Sequence, residues 1–254
     1  MRIISVLLLT IMSLIACNAP HEMSSKHNDE DQHWSYTGEE NPANWSHLSE
    51  EYKACEGSAQ SPININDKAV ASLKKGHLLE INYNSSKINI VNNGHTEQFN
   101  IDEGNDLIFD GKKYDLKQFH LHSLSEHTIN GEHLPLEVHF VNKAEDGTYA
   151  VIAVLFEKGK KSSFFTSFLK KLPVNKGAYQ DEHLFDIHQV LPETKHFYHY
   201  KGSFTTPPCT EVVEWIVLKE KMTASKAQLE ELRHLLHDNY RPIQAVNTRT
   251  VEVQ

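Results

Sequence analysis

The chain has 254 residues, 39% hydrophobic and 23% charged, which is enough for a sizeable core and argues against disorder. Twenty-five Lys and Arg against 34 Asp and Glu give a net charge of −9, so a general nucleic-acid or anionic-membrane surface has no electrostatic footing. Histidine, at 17, outnumbers glycine, at 11, and histidine is the commonest metal ligand and the usual proton carrier near neutral pH.

Residues 1–16 read as Met-Arg followed by an apolar run from Ile3 to Ala16. The run is shorter than the ~20 residues of a spanning helix and is expected to be a secretory signal. It ends in Leu14-Ile15-Ala16-Cys17, which resembles a bacterial lipobox with Cys17 as the lipidated new N-terminus. Cleavage after a small residue, releasing a soluble protein, is the alternative, and both place the chain in the periplasm or beyond. Residues 17–31 are polar, contain Pro20 and Asn28-Asp29-Glu30-Asp31, show no hydrophobic period and read as a flexible tether. His21, His27 and His33 in or beside it could gather metal loosely, or do nothing specific. Cys55 and Cys209 remain, and in an oxidising compartment a pair is expected to form a disulfide, two buried free thiols being the alternative.

Residues 32–254 show no linker, repeat or break in composition and read as one mainly β domain. Strands are expected at Leu78–Tyr83, Lys87–Val91, Leu107–Phe109, Tyr114–His122, Leu136–Val141, Tyr149–Glu157 and Val212–Leu218. They are rich in Val, Ile, Phe and Tyr and separated by turns such as Asn93-Gly94, Asp110-Gly111, Asn130-Gly131 and Asp146-Gly147. Helices are expected at Ser163–Lys171, where Phe164, Phe165, Phe168 and Leu169 share a face, and at Ser225–His237, which opens as a capping box with Gln228.

His120-Leu121-His122 lies in an extended segment, so the two imidazoles point to one face about 7 Å apart at their α-carbons. In Leu136–Val141 the alternation puts Glu137, His139 and Val141 on one face, and a neighbouring strand there would supply a third imidazole. Three histidines from two strands with no fourth protein ligand suit a catalytic zinc site with an open position. A His-x-His alone is more often a pair of satisfied histidines.

The company of these residues is more specific. Cys55 to Ile65 with Gln60-Ser61-Pro62, Asn92-Asn93-Gly94-His95, Gln118 to His122, Ser125-Glu126-His127, Glu137-Val138-His139, Ser203 to Pro208 and Asn239-Tyr240-Arg241-Pro242 together resemble the α-class carbonic anhydrases, over about Trp34 to Arg249. The resemblance implies a twisted, mostly antiparallel sheet of about ten strands with a few peripheral helices, and the 32–254 region as the catalytic domain. The implied reaction is reversible hydration of carbon dioxide to bicarbonate and a proton, by attack of zinc-bound hydroxide on one Zn2+ per chain.

On that resemblance His120, His122 and His139 match the zinc ligands, and Gln118 and Glu137 the groups that accept their outer N–H. Thr205 and Glu126 match the pair that orients the attacking hydroxide, and Thr206 would contact bicarbonate. Val141, Val151, Phe204, Val213 and Trp215 match the apolar wall for carbon dioxide. His95 matches the proton shuttle, with Tyr36, Asn93 and Asn100 ordering water between it and the metal. Cis bonds at Ser61-Pro62 and Pro207-Pro208 are implied as well. Leu134, the short Ser123-Leu124 link and Phe204 depart from the commoner pattern, and Phe204 puts fast turnover in doubt. Carbon dioxide and bicarbonate are the expected partners, with no nucleic acid, membrane contact only through the lipid, and the oligomeric state open between monomer and dimer. Two other readings are a catalytically weak zinc-binding or interaction lipoprotein on this fold, and a histidine-rich zinc scavenger.

Overall fold

The computed structural model describes residues 33–72, 76–193 and 196–254; the expected signal at 1–16, Cys17 and the tether at 17–31 lie outside the described residues. Ten strands form one continuous path. In spatial order they are Gly177–Asp186, Ser85–Asn92, Glu97–Asn100, Lys112–His122, Leu136–Lys143, Tyr149–Lys158, Val213–Leu218, Phe197–Gly202, Glu252–Val253 and Ala71–Ser72. Pairing is mostly antiparallel, but Tyr149–Lys158 runs parallel to Val213–Leu218, and Glu252–Val253 parallel to Ala71–Ser72. All seven expected strands are present. Three others carry weak signals: Glu97–Asn100 is short and polar, Phe197–Gly202 is four aromatic-ring residues followed by Lys201 and Gly202, and Gly177–Asp186 is a mostly exposed edge strand paired only with Ser85–Asn92.

The sheet is buried on both faces. Phe119, Leu121, Val138, Phe140 and Ile152 pack on one side against Phe164 and Phe165 of the helix Ser163–Phe168 and Leu229 and Leu232 of the helix Lys226–Leu236. The other face gathers Val151, Ala153, Tyr198, Tyr200, Val213 and Trp215. The expected 163–171 helix tightens to a 3-10 turn over Leu169–Lys171. The capping box is formed at both of its bonds between Ser225 and Gln228.

One irregularity matters for the site. The pairing of Lys112–His122 with Leu136–Lys143 shifts register between Val141 and Asn142, so Lys117 has no partner and forms a bulge. The extra residue inverts the alternation. Tyr114 and Leu116 before it and Phe119 and Leu121 after it therefore all reach the same core, while Gln118, His120 and His122 take the opposite face.

Cys55 and Cys209 form a disulfide with an S–S distance of 2.04 Å, joining positions 154 residues apart. It ties the 203–209 segment to the start of the domain, and such bonds form outside the reducing cytoplasm. Peptides Ser61-Pro62 and Pro207-Pro208 are cis, as is Ser123-Leu124. No helix among the described residues is long and apolar enough to cross a membrane.

Candidate active site

Register brings the three histidines together. His139 lies directly opposite His120, and Glu137 opposite His122, across two antiparallel strands. Ring centroids are 4.9 Å apart for His120 and His122, 5.3 Å for His120 and His139 and 4.6 Å for His122 and His139. One nitrogen from each ring falls within 4.8 Å of the others.

Each ring's other nitrogen is taken. His120 Nδ1 lies 2.9 Å from Gln118 Oε1, His122 Nδ1 2.7 Å from the Asn239 carbonyl and His139 Nε2 2.7 Å from Glu137 Oε1. An acceptor there fixes the tautomer, so His120 and His122 present Nε2 and His139 presents Nδ1. Burial, reinforced by the other imidazoles, holds His120 well below its ordinary pKa, and burial lowers His122 too. Both rings are therefore neutral, as a metal ligand must be. His122 Nε2 is buried with no hydrogen-bond partner, a cost that a metal would remove. The donor set fits zinc.

Glu137 does more than hold His139. Its Oε1 also lies 2.6 Å from His127 Nδ1, its Oε2 accepts from the His127 backbone N–H at 2.8 Å, and these partners outweigh burial to hold it well below the carboxylate range. His127 Nε2 sits 2.7 Å from the Tyr200 hydroxyl, which donates to Ser61 Oγ at 3.0 Å; Ser61 Oγ in turn accepts from Ser203 N at 3.1 Å. A continuous polar chain thus links His139 to the loop carrying Thr205.

Glu126 is fully buried. Its Oε1 accepts from Arg241 N at 2.8 Å. Its Oε2 has no hydrogen-bond partner and lies 3.6 Å from His122 Nε2 and 3.8 Å from His139 Nδ1. Thr205 is 5% exposed, while Thr206 is half-buried and its carbonyl accepts from Cys209 N at 2.9 Å. The apolar residues Val141, Val151, Phe204, Val213 and Trp215 all belong to one cluster: Val151 lies between Val141 and Trp215 in register, and Phe204 packs edge-on against Tyr149 at 4.7 Å.

His95 stacks on Trp34, with centroids 3.8 Å apart and planes 11° from parallel. Burial first, then Lys176 and His33, lower its pKa. Tyr36 lines the same cavity of about 360 Å³ as His95. Asn93 Oδ1 accepts from the backbone N–H of His95 and of Thr96, at 2.9 and 3.0 Å, and so builds the turn. Asn100 lies across from Gln118 and accepts from Gln98 Nε2 at 2.6 Å, and Gln98 itself sits directly opposite His120.

Several residues with a part in the site received no role from sequence. Asn239 ties three segments together. Besides its carbonyl on His122, its side chain donates to the carbonyls of His95 and Leu121 and accepts from Ser123 N. Buried Arg241 binds Gln60 Oε1 and the carbonyls of Ser61 and Cys55. The Asn239-Tyr240-Arg241-Pro242 motif is the available signal for both, and Ser125-Glu126-His127 is the signal for His127; Tyr200 has none beyond its proximity to Ser203.

Three imidazoles thus converge, each with one ring nitrogen turned inward, next to the buried Glu126 carboxylate and an apolar cluster of the sheet, a donor set that could hold a metal ion. The model of eukaryotic-type carbonic anhydrases matches residues 40–254. Among curated proteins the chain is similar to a carbonic anhydrase of Neisseria gonorrhoeae, 40% identical over 246 residues, covering 96% of this chain and 95% of that one. It is also similar to one of Klebsiella pneumoniae, 40% identical over 228 residues, covering 86% and 90%. Among solved structures it resembles the alpha-carbonic anhydrase of Thermovibrio ammonificans in complex with the inhibitor sulfanilamide, at 39% identity and a TM-score of 0.84, covering 87% of this chain and 99% of that one. The chain belongs to the alpha carbonic anhydrase family, and it is an enzyme of that lyase class.

Proposed function

We propose that residues 32–254 hydrate carbon dioxide reversibly to bicarbonate and a proton, with one zinc ion held by His120, His122 and His139. The observation that carries this is the set of three outward ring nitrogens, each already committed to Gln118, Asn239 or Glu137, which leaves three inward nitrogens together and one of them buried without a partner. Zinc held there acts as a Lewis acid that lets water give up a proton near neutral pH.

The chain's own residues supply the rest. Glu126 is pinned at Oε1 by Arg241 while its Oε2 has no hydrogen-bond partner, and we assign that free oxygen the role of acceptor for the Thr205 hydroxyl once substrate water is in place. With its proton so committed, Thr205 offers only lone pairs to the reacting water and aims it at the substrate carbon. Carbon dioxide has no dipole and settles against Val141, Val151, Phe204, Val213 and Trp215, which exclude competing water. Thr206 contacts the bicarbonate product. His95, its pKa lowered by burial and neighbouring cations, is neutral at physiological pH and free to take the released proton. Tyr36, Asn93 and Asn100 order the water between it and the metal, Asn93 through its amide nitrogen because its oxygen is used in the turn.

The disulfide supports an exported protein; from their sequence pattern, residues 1–16 are its signal, 17–31 its tether and Cys17 its lipidated N-terminus in the periplasm. Mass spectrometry of the mature N-terminus tests this: an acylated Cys17 is expected, and an unmodified terminus at another residue refutes the anchor. For the activity, stopped-flow hydration of carbon dioxide is measured before and after zinc removal and restoration. Activity lost and regained with zinc, and blocked by sulfanilamide, is expected. A folded, zinc-loaded protein without hydration refutes the proposal.

A further inference from the structure

Away from the catalytic site, the most convergent cluster of ligating side chains surrounds His199. Alternation along Phe197–Gly202 places Tyr198 and Tyr200 in the cluster with Trp215, on the catalytic face, and Phe197 in the opposite core. His199 shares the face of Phe197. There His77 Nε2 and His199 Nδ1 lie 3.0 and 3.1 Å from one oxygen, Glu252 Oε2, with ring centroids 4.4 Å apart. The far nitrogens each meet a further carboxylate, His77 Nδ1 at 2.6 Å from Asp110 Oδ2 and His199 Nε2 at 2.7 Å from Glu214 Oε2.

An imidazole whose outer nitrogen is held by a carboxylate is oriented and made more basic for a metal at its inner nitrogen. Here two such rings aim at one carboxylate oxygen, and the three ligand atoms lie within 4.8 Å of one another. Charge points the same way. Asp110, Glu214 and Glu252 bring three negative charges, and Lys201, at 3.0 Å from Glu214 Oε1, offsets one. Arg249 on the adjoining cavity is a further cation, and the negative charge left over is met by imidazolium protons, towards which, against burial, Glu252 and Asp110 raise His77, or by one divalent ion between neutral rings. A cavity of about 260 Å³, lined by His199, Lys201, Arg249, Thr250 and Glu252 among others, lies beside two of the three side chains and has the volume to hold water. Two imidazoles with one carboxylate suit zinc, whereas calcium and magnesium favour oxygen donors.

We propose that His77, His199 and Glu252 form a second zinc site, on the face of the sheet opposite the catalytic histidines, fastening the C-terminal strand to Phe197–Gly202 and to the segment before Leu79. The test is equilibrium dialysis of the zinc-loaded protein against Zn2+ at about pH 8, where fewer protons compete for the ligands than at lower pH, followed by elemental analysis. Wild type is expected to hold about one zinc per chain more than either His199→Gln or Glu252→Gln, with carbon dioxide hydration the same in all three. Calorimetric titration of Zn2+ into wild type already carrying its first ion is expected to show a second event with proton release. Equal zinc content in wild type and both variants, or no second event in wild type, overturns the site, and the wild-type titration decides even if a variant does not fold. An extra ion that survives both substitutions is held elsewhere and overturns it too.

Discussion

Glu97 gives the sharpest test of the energetics. It is 1% exposed. Its Oε1 accepts one bond from Asn92 Nδ2 at 2.8 Å, and its Oε2 is buried with no partner. Burial pushes its pKa from 4.5 to about 7, against the smaller opposing effect of Asn92. At 1.36 kcal/mol for each tenfold change, ionising this carboxyl in the fold costs about 3 kcal/mol more than in the unfolded chain. The folded pKa is the higher one, so both states are protonated at low pH and nothing is lost there. Stability then falls as the pH rises from 4.5 to about 7, and above that the full cost is carried. Glu97→Gln removes the titration while its amide oxygen still accepts from Asn92. The variant should match wild type at about pH 4 and be more stable by about 3 kcal/mol at about pH 8. His33, His95, Lys176 and His237 line the same cavity, but they are present in both proteins and largely cancel in the difference. Urea unfolding with the disulfide intact, at several pH values and with equal slopes for both proteins, measures it. A stability difference that does not change with pH refutes the reasoning.

His139→Ala removes an inward nitrogen and leaves Glu137 without one of its partners. Zinc content and hydration should fall together, and full zinc in the variant would contradict the ligand assignment. His95→Ala should keep its zinc and slow turnover by roughly tenfold or more, with recovery in imidazole-type buffers; an unchanged rate shows that protons leave by another path. Asn239→Ala deletes side-chain bonds to His95, Leu121 and Ser123; at about 1 kcal/mol each it should lose about 3 kcal/mol, and an unchanged unfolding midpoint would count against its bracing role. Reducing the Cys55–Cys209 bond frees a loop spanning 154 positions, which in the chain-entropy model costs about 5 kcal/mol, read as the shift in denaturant midpoint with and without reductant. No shift would place the loop's stability elsewhere.

The parts of the site legible in sequence are those in which side-chain type and local period carry the signal. His120 and His122 share a face because a strand alternates, and Glu137 and His139 follow from the same rule on the neighbouring strand. The Lys117 bulge was not legible, since an unpaired residue shows only against its partner strand; without it, Tyr114 and Leu116 would sit on the histidines' face. Nor could a strand signal reach Gly177–Asp186, whose outer edge is solvated and whose one neighbour imposes little burial. Glu97 fails for the opposite reason: an acidic residue reads as surface, and only the tertiary structure places it in the interior.

The third outer acceptor shows the limit most sharply. Gln118 and Glu137 stand two residues from the rings they hold, so motif and alternation find them. His122 uses a backbone carbonyl from Asn239, 117 positions away in the chain, and a carbonyl has no residue type to read. What the sequence does encode is the Asn239 side chain, whose amide closes on His95, Leu121 and Ser123 and so fixes where that carbonyl points. A substitution at Asn239 therefore acts on His122, a proposed zinc ligand, without removing the carbonyl that holds it. It also loosens the turn that carries His95, so under the proposed function one side chain bears on both a zinc ligand and the proton acceptor.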